Sequence, residues 1–466
     1  MSSNTIQQRM FRELQEKTVF EAARANAYDY IAGIRDRDVA PDAAALAGLA
    51  AFDEPLPRAS GNATDIVQWL HRYGSPATMA STGGRYYGLV VGSALPVSLG
   101  VRWLTDVWDQ CSTLYNSSPV AAKLEAVAEK WLVDLFGLPD TTVAGFVSGT
   151  SAALLCGLAA ARERAMRSAG WDVNARGVAG APPVRIVAGR HVHATVLKAV
   201  ALLGLGLDSI EWVDVDAQGR IRADLVPDLD SRTILILQAG NVNSGAFDDF
   251  ASLVPRAREA DAWVHVDGAF GLWAACSSQL RHLTRGIELA DSWSVDGHKT
   301  LNAPYDNGII LCRHPDTLVR ALQAQGAYIG YSAERDNMRY TPEMSRRARG
   351  AEIWACLKYL GRDGLDEMIS GLHLRAAELG ALLASADFEI ANEIVFNQLL
   401  VRGDDDAATR SIATHLQSSG ECWAGLSEWF GRPVVRVSIC SWSTTSDDVG
   451  RTARAFIAAR AAAAGA

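Results

Sequence analysis

The chain has 466 residues, of which 49% are hydrophobic and 21% are charged, and its formal net charge is −9. A chain of this length exceeds what one hydrophobic core usually organises, and its composition is that of a folded globular protein, so we expect two or three structural units and exclude extensive disorder. The acidic balance, without any long run of lysine or arginine, argues against nucleic acid as a partner.

The cysteines and the apolar runs indicate the cellular compartment of the protein. The seven cysteines are scattered along the chain and never form a C-x-x-C pair, which favours a reducing compartment and argues against a zinc site. The N-terminus lacks the apolar stretch of a signal peptide, and no uninterrupted apolar run approaches the length of a membrane span. We therefore expect a cytoplasmic protein with no membrane attachment and no bound metal.

Residues 1–80 are predicted to form an N-terminal helical segment. Between Thr18 and Ile34, apolar residues such as Phe20 and Ile31 recur at helical spacing, and a second helical pattern covers residues 63–72. We expect this segment to pack on a partner subunit rather than on the core of its own chain.

Residues 83–96 combine glycines, aromatic residues and a proline in a pattern that fits neither a regular helix nor a strand. The segment either lines a pocket or forms an irregular loop with its tyrosines packed beneath it. Tyr86 and Tyr87 are its candidate substrate-pocket residues.

A regular alternation of elements follows a long helix that begins at Pro119. Helical patterns at residues 151–169, 194–203 and 248–260 separate short β-prone runs at residues 184–188, 210–215, 233–237, 263–266, 292–295 and 309–312. This alternation predicts an α/β fold with a mainly parallel central sheet and helices on both faces, in which ligands bind at the carboxyl ends of the strands.

We place this large domain at residues 81–365 and a smaller C-terminal α/β domain at residues 366–466. Residues 327–342 are polar, contain glycine and proline and lack periodicity, which predicts a mobile loop. The short basic cluster Arg346-Arg347-Ala-Arg349 follows the loop and is expected to be a local anion or structural site.

Ser148, Gly149 and Thr150 precede a predicted helix. Their amides and hydroxyls are suited to hold an anion such as phosphate at the helix N-terminus, although the same residues are also ordinary helix caps. The segment is neither a Walker loop nor a nucleophile elbow, because the spacings of those motifs are absent.

His191 and His193 follow the predicted strand at residues 184–188. Two histidines at this spacing can ligate a metal, which leaves a metal-dependent hydrolase open. We prefer a role for His193 in stacking on a flat cofactor, since the other histidines do not complete a ligand set.

Asp267 ends another β-prone run, where a carboxylate is costly to bury without a partner. It either pairs with a protonated ring nitrogen or caps a loop.

Lys299 follows His298 directly, at the end of the β-prone run 292–295 and ahead of a turn. Most lysines are solvated surface charges, so Lys299 alone does not indicate catalysis. Together, however, an amine, a phosphate cradle, a stacking ring and a buried carboxylate are the four groups that pyridoxal 5′-phosphate requires. The sequence therefore predicts a pyridoxal 5′-phosphate site.

Several motifs resemble those of the group II pyridoxal-phosphate-dependent amino acid decarboxylases, the family of aromatic-L-amino-acid, glutamate and tyrosine decarboxylases. They are Ser118-Pro119 with Leu124-Glu125, the turn 148–153, the segment 193–199, the segment 240–248 with Val242 in place of a threonine, the segment 265–271 and the lysine signature 290–308. The resemblance implies the fold type I, aspartate aminotransferase-like fold.

The resemblance also implies roles for the matching residues. Lys299 is implied to form the Schiff base, Asp267 to pair with the ring nitrogen, and His193 and Ala269 to cover the two ring faces. The implied cofactor-binding residues are Ser148, Gly149, Thr150, His193, Asn241, Asp267, Ala269, His298 and Lys299. A loop tyrosine contributed across the interface of a homodimer is implied to return a proton to the carbanion. Tyr340 is the candidate, with Tyr328 and Tyr331 as alternatives.

The implied reaction is decarboxylation of an L-amino acid to its amine, through the Lys299 Schiff base and a quinonoid intermediate. Departures from the family pattern, at Gly83, Gly84, Ser151, Ala153 and Gly268, leave the substrate open. An aminotransferase or an aldehyde-forming decarboxylase on the same scaffold is the alternative, and a metal-dependent hydrolase is a distant one.

Overall fold

The computed structural model of the chain describes residues 5–322, 324, 326 and 329–464. Four helices precede residue 80: α1 (Ile6–Glu16), α2 (Thr18–Gly33), α3 (Ala43–Gly48) and α4 (Ala63–Gly74). Helices α2 and α4 lie where the apolar spacing predicts them. Helix α1 is an addition, and it begins at a capping box in which Thr5 and Gln8 exchange side-chain and backbone hydrogen bonds.

Arg85 fastens this N-terminal segment to the rest of the chain. Its guanidinium donates to the carbonyl oxygens of Arg35 and Arg37, both at 3.2 Å, and to the carbonyl oxygen of Glu421. One buried side chain therefore joins the N-terminal helices to a loop near the C-terminus.

Two helices, α5 (Pro96–Trp108) and α6 (Pro119–Phe136), lead into a seven-stranded sheet. Its strands are β1 (Val143–Val147), β2 (Arg185–Gly189), β3 (Ile210–Val213), β4 (Thr233–Gln238), β5 (Trp263–Asp267), β6 (Ser292–Asp296) and β7 (Gly308–Cys312). The spatial order is β1-β7-β6-β5-β4-β2-β3. Strand β7 is antiparallel to both of its neighbours, and the other pairs are parallel. The mainly parallel sheet is confirmed.

Strand β1 is the one strand of this sheet that the sequence did not reveal. Its residues include Ala144 and Gly145, which have weak β propensity. Tertiary pairing with β7, rather than local preference, makes this segment a strand.

Helices cover both faces of the sheet: α7 (Thr150–Ser168), α8 (Val173–Arg176), α9 (Ala194–Leu202), α10 (Phe250–Glu259) and α11 (Pro315–Leu322). Alternate side chains of β4 show the division. Ile234 and Ile236 belong to a core cluster with residues of α7, α9 and α11, whereas Leu235 and Leu237 belong to a cluster with residues of α6 and α10. Both faces are buried, which explains why the strands read as continuous apolar runs.

Helix α12 (Gly350–Ser385) leads to a second, four-stranded sheet and is broken at Gly361, where φ is 59° and ψ is −167°. The second sheet is antiparallel, with strands β8 (Glu389–Ile390), β9 (Gln398–Arg402), β10 (Gly425–Trp429) and β11 (Arg432–Ser438) in the order β10-β11-β9-β8. Helices α13 (Asp406–Ser418) and α14 (Ser446–Ala464) complete the chain. The domain division at residue 365 stays a prediction, as do the other domain bounds.

The segment between α11 and α12 includes the predicted mobile loop, of which Ala327 and Tyr328 lie outside the described residues. Its later part is fixed by ion pairs. Arg335 donates to Glu129 at 2.6 Å, and the basic cluster begins with Arg346, which pairs with the buried Glu125 at 2.9 Å. The other two arginines of the cluster also pair with carboxylates of this chain, so the cluster is structural.

Within the described residues, no helix combines the length and the apolar character that crossing a lipid bilayer requires.

Candidate active site

A cavity of about 380 Å³ opens where the carboxyl ends of β1, β2, β4, β5 and β6 meet. Eight of the nine predicted cofactor-binding residues line it: Ser148, Gly149, Thr150, His193, Asp267, Ala269, His298 and Lys299. The ninth, Asn241, is buried beside the cavity. Parallel strands deliver these residues to one edge although they are far apart in sequence.

The predicted phosphate cradle lies at the N-terminus of α7. Ser148 and Gly149 follow β1, and helix α7 begins at Thr150. A Cβ at Gly308 would overlap the backbone of Gly149. A glycine at position 308 therefore lets the start of β7 lie directly against this turn. The hydroxyl of Thr150 is buried and has no hydrogen-bond partner within the described part of the chain. A free donor at a helix N-terminus is suited to an anion.

Lys299 lies beside a carboxylate that sequence reasoning missed. Its Nζ is 3.3 Å from Oδ2 of Asp296, and Oδ1 of Asp296 accepts a hydrogen bond of 2.7 Å from the amide of Thr150. Asp296 thus connects the reactive amine to the cradle. Like Asp267, Asp296 is a carboxylate at the end of a β-prone run, and this position was the signal that could have revealed it.

His298 is held in one tautomer. Its Nδ1 accepts a hydrogen bond of 3.0 Å from the amide of Asn307, so the neutral ring carries its hydrogen on Nε2. Burial lowers the pKa of His298. Its ring stacks on Tyr305 with 4.2 Å between the ring centroids.

His193 is oriented in the same way. It is the N-cap of α9, and its Nδ1 accepts from the amide of Thr195 at 3.3 Å. Burial lowers its pKa, with Asp267 acting in the opposite direction. The ring is therefore neutral near pH 7 and suited to lie flat against an apolar or aromatic surface.

Asp267 is 6% exposed at the end of β5. Burial raises its pKa, and the neighbouring His193 and Lys299 act to lower it. The hydrogen bond that it accepts from the amide of Ala269, at 3.2 Å, leaves it short of partners for a buried carboxylate. A protonated ring nitrogen in the cavity would meet that need.

The structure places the other predicted residues outside the cavity wall. Asn241 donates to the carbonyl of His191 and accepts from two amides of its own turn, so it shapes the turn after β4. Tyr86 stacks on Trp423, while Tyr87 is 1% exposed and its hydroxyl bonds Thr452.

Two of the loop tyrosines, Tyr331 and Tyr340, are also outside the cavity of their own chain. The guanidinium carbon of Arg335 lies 4.7 Å from the ring centroid of Tyr340. The hydroxyl of Tyr331 donates to the carbonyl of Ala324. Tyr328 is outside the described residues. His191 packs against Trp429 and Phe430, apart from His193.

Two further residues at the site were missed. Tyr305 lines the cavity, and no sequence pattern marks it. Arg436, on β11, donates to the carbonyl of Val242 at 3.2 Å, and burial lowers its pKa. A lone arginine inside the β-prone run 434–439 was a usable signal, because a cation in a buried strand needs a reason.

Comparison with known proteins identifies this arrangement. The pyridoxal-dependent decarboxylase conserved domain matches residues 88–401. The chain belongs to the pyridoxal-dependent decarboxylase family. As a member, it is a carboxy-lyase whose cofactor is pyridoxal 5′-phosphate, and the predicted family, fold and cofactor are confirmed.

Relatives of this decarboxylase differ in their products. A 4-hydroxyphenylacetaldehyde synthase from Rhodiola rosea is 27% identical over 335 residues, which are 66% of this chain and 67% of that protein. An aromatic-L-amino-acid decarboxylase from Bacillus atrophaeus is 26% identical over 351 residues, 72% of this chain and 71% of that protein. The chain is therefore similar both to a protein named as a decarboxylase and to one named as an aldehyde synthase.

Among solved structures, Oryza sativa TDC with PLP and tryptamine superimposes with a TM-score of 0.88. The match covers 97% of this chain and 98% of that chain at 21% sequence identity. At that identity, the likeness establishes the fold.

The residues of this decarboxylase fit pyridoxal 5′-phosphate. The unpartnered Thr150 hydroxyl and the helix N-terminus suit the phosphate, the under-partnered Asp267 suits the ring nitrogen, and Lys299 lies in the same cavity. No grouping of three or more metal-binding side chains occurs among the described residues.

We predict that Thr150→Val weakens cofactor binding about tenfold, because one hydrogen bond to the phosphate is lost at constant side-chain shape. Thr150→Ser should retain near-normal affinity. The measurement is fluorescence titration of the cofactor-free protein with pyridoxal 5′-phosphate.

Thr142→Val is the matched control for this prediction. Thr142 is also buried, and its hydroxyl has no hydrogen-bond partner among the described residues, but it lies at the opposite end of β1. Equal affinities in the Thr150→Val and Thr142→Val proteins would contradict the cradle assignment.

Proposed function

We propose that this protein removes the α-carboxylate of an L-amino acid as carbon dioxide and releases the corresponding amine. The observation that carries the proposal is the meeting of Lys299, Asp267 and the Thr150 turn in one cavity, within a chain of the decarboxylase family. Each of the three supplies a different requirement of the reaction.

The bound cofactor supplies a ring that accepts the electron pair left behind when carbon dioxide departs. Asp267 holds a proton at the ring nitrogen, and its own burial strengthens that interaction. His193 covers one ring face as a neutral imidazole, and Ala269 is small enough to leave room for the ring on the other.

Lys299 would hold the cofactor through its amine, and it lies in the same cavity as the Thr150 turn and Asp267. Its neighbour Asp296, at 3.3 Å, is placed to pair with the Lys299 amine when that amine is free and protonated. The same carboxylate accepts from the Thr150 amide, so it keeps Lys299 and the phosphate turn at a constant separation.

Substrate binding involves the aromatic side chains and the arginine near the cavity mouth. Tyr305 lines the cavity, and Tyr86 stacks on Trp423 nearby. Arg436 is a largely buried cation. Among the described residues its hydrogen bond goes to the carbonyl of Val242, which leaves most of its donors for a carboxylate. We infer an amino acid with an apolar or aromatic side chain, with Tyr86 beside its pocket. Tyr87, whose hydroxyl bonds Thr452, belongs to the core.

Arg436 is also the observation that favours a second candidate. An aminotransferase keeps the substrate carboxylate and requires an arginine to grip it, and Arg436 is suited to that task. The two functions differ in one measurable product, carbon dioxide.

We predict that one of the common L-amino acids releases carbon dioxide stoichiometrically with amine, and that Lys299→Ala lowers the rate on the order of 10³-fold or more. Borohydride reduction should attach the cofactor permanently to the wild-type protein. The Lys299→Ala protein should carry no attached cofactor after the same treatment. Lys198→Ala, an exposed lysine on α9, is the control. Amino-group transfer to a 2-oxo acid without carbon dioxide would establish the aminotransferase instead.

Tyr340 is our candidate for returning a proton to the substrate carbon, acting in the site of a partner subunit. We predict that Tyr340→Phe slows amine formation and, in air, raises the yield of aldehyde and ammonia, because an unprotonated carbanion is exposed to oxygen. Chromatographic quantification of the products checks this. Tyr331→Phe removes a loop hydroxyl that already bonds Ala324 and should leave the ratio unchanged. A wild-type product ratio in Tyr340→Phe would remove Tyr340 from the reaction.

We also propose that the protein is a homodimer, joined through a surface that we call the N-terminal apolar face. Large hydrophobic side chains are exposed on helices α1, α2, α4 and α5, namely Ile6, Met10, Phe11, Leu14, Phe20, Tyr28, Ile31, Ile66, Trp69, Leu70, Trp103, Leu104, Val107 and Trp108. The rings of Tyr28 and Trp103 lie 6.1 Å apart, so the face is continuous between α2 and α5. An apolar surface of this extent favours a permanent partner.

We predict that Val107→Asp converts the dimer to a monomer and lowers activity, because it places a charge in an apolar interface. Val107 is 79% exposed in the single chain, so the substitution leaves the subunit core intact. Light scattering coupled to size-exclusion chromatography measures the mass. Leu202→Asp, on the exposed side of α9, should stay dimeric. A monomeric wild-type protein would refute the assignment.

A further inference from the structure

We propose that Asn302 is a positioning residue that sets where the Lys299 amine lies in the cavity. The proposal rests on the proposed role of Lys299. Asn302 does not touch the cavity itself, but its buried carboxamide joins the backbone after Lys299 to two distant segments of the chain.

The backbone of Asn302 closes a tight turn. Its amide donates to the carbonyl of Lys299 at 2.9 Å, and its φ is 58°, in the left-handed region that asparagine tolerates better than most residues. Its carbonyl accepts from the amide of Leu95 at 2.9 Å. The chain therefore reverses immediately after Lys299 and is held in place by the segment around Leu95.

The side chain uses its full hydrogen-bonding capacity. Oδ1 accepts from the amides of Ser93 at 2.9 Å and Trp442 at 3.0 Å. Nδ2 donates to the carbonyls of Thr300 at 2.8 Å and Cys440 at 3.0 Å, with a longer bond of 3.3 Å to Lys299. Asn302 is fully buried, so these bonds are not exchanged with water, and losing them is costly.

Three segments meet at this carboxamide. They are the Lys299 turn, the stretch at residues 92–95, a few residues after Tyr87, and residues 440–442, which follow the second sheet. Gly92 reinforces the junction, because its amide donates to the carbonyl of His298 at 3.3 Å and a Cβ there would overlap the carbonyl of Lys299. The peptide groups on both sides of Lys299 are thus clamped.

This clamp has a chemical consequence for a flexible lysine. A long side chain reaches the correct point only if its Cα is fixed, and a displacement of about 1 Å at a reacting atom costs roughly 100-fold in rate. Asn302 therefore affects how fast Lys299 joins the cofactor, while the phosphate cradle, formed by residues 148–150 on another strand, is outside its reach.

The experiment measures two processes separately: non-covalent binding of the cofactor, and the covalent joining of its aldehyde to Lys299. Pyridoxine 5′-phosphate has no aldehyde and reports binding alone, whereas pyridoxal 5′-phosphate condenses with Lys299 Nζ through its aldehyde carbon and releases one water. In Asn302→Asp, a carboxylate oxygen faces three carbonyl oxygens. In Asn302→Gly, the left-handed backbone is retained and the bonds are lost.

We predict that both variants bind pyridoxine 5′-phosphate within threefold of wild type but join pyridoxal 5′-phosphate about 100-fold more slowly, followed by stopped-flow absorbance of the cofactor-free protein. Neither measurement requires a substrate, so failure here is distinct from failure of the decarboxylase assignment.

Asn397→Asp is the matched control. Asn397 is also fully buried, and its Nδ2 donates to the carbonyl of Ile439 at 3.0 Å. This contact lies at the end of β11, next to Cys440 but away from the Lys299 turn. The Asn397→Asp protein should join the cofactor at the wild-type rate. The proposal is overturned if Asn302→Gly joins at the wild-type rate, or if the Asn302 variants lose pyridoxine 5′-phosphate affinity to the same extent as they lose joining rate.

Discussion

Asp267 is a carboxylate buried at the end of a parallel strand, and the rest of the site is arranged around its need for a partner. Removing such a group from water raises its pKa and costs free energy unless a cation or N–H group faces it. The described neighbours, His193 and Lys299, meet that need only in part. The cavity is therefore matched to a flat ring with a protonated nitrogen, and the sheet, by ending five strands at one edge, provides the space for it.

Charge in the cavity is concentrated on few groups. Burial lowers the pKa of both His193 and His298, and a backbone amide donates to Nδ1 of each ring. Both imidazoles are therefore neutral donors through Nε2. Within the described part of the chain, Lys299 is the one lysine or arginine in the cavity wall, and Asp296 already faces it. A phosphate in this cavity would therefore be held by the amides and hydroxyls at the start of α7 rather than by a cluster of cations.

The reactive region is a junction between units rather than a property of one sheet. Asn302 connects the Lys299 turn to residues that follow the second sheet, Arg85 connects the N-terminal helices to the loop at Glu421, and Arg346 is buried against Glu125. Arg85, Asn302 and Arg346 are all buried, so the contacts that join these segments are shielded from water. In the proposed homodimer, the N-terminal apolar face would bring a second copy of the chain to this junction.

The sequence by itself determined the fold class, the cofactor and most of the cavity wall, because apolar runs with polar residues at their ends must form a buried parallel sheet whose strand ends coincide. It identified Lys299, Asp267, His193 and the Thr150 turn for this reason. Only the tertiary structure decided that Asp296, Tyr305 and Arg436 belong to the same site, that Asn241 supports a turn, and that Tyr87 is a core residue. These depend on which side of a strand or loop a side chain lies and on what packs against it. Asn302 is the clearest case, since its function comes from segments more than a hundred residues away, and no local pattern records such a contact.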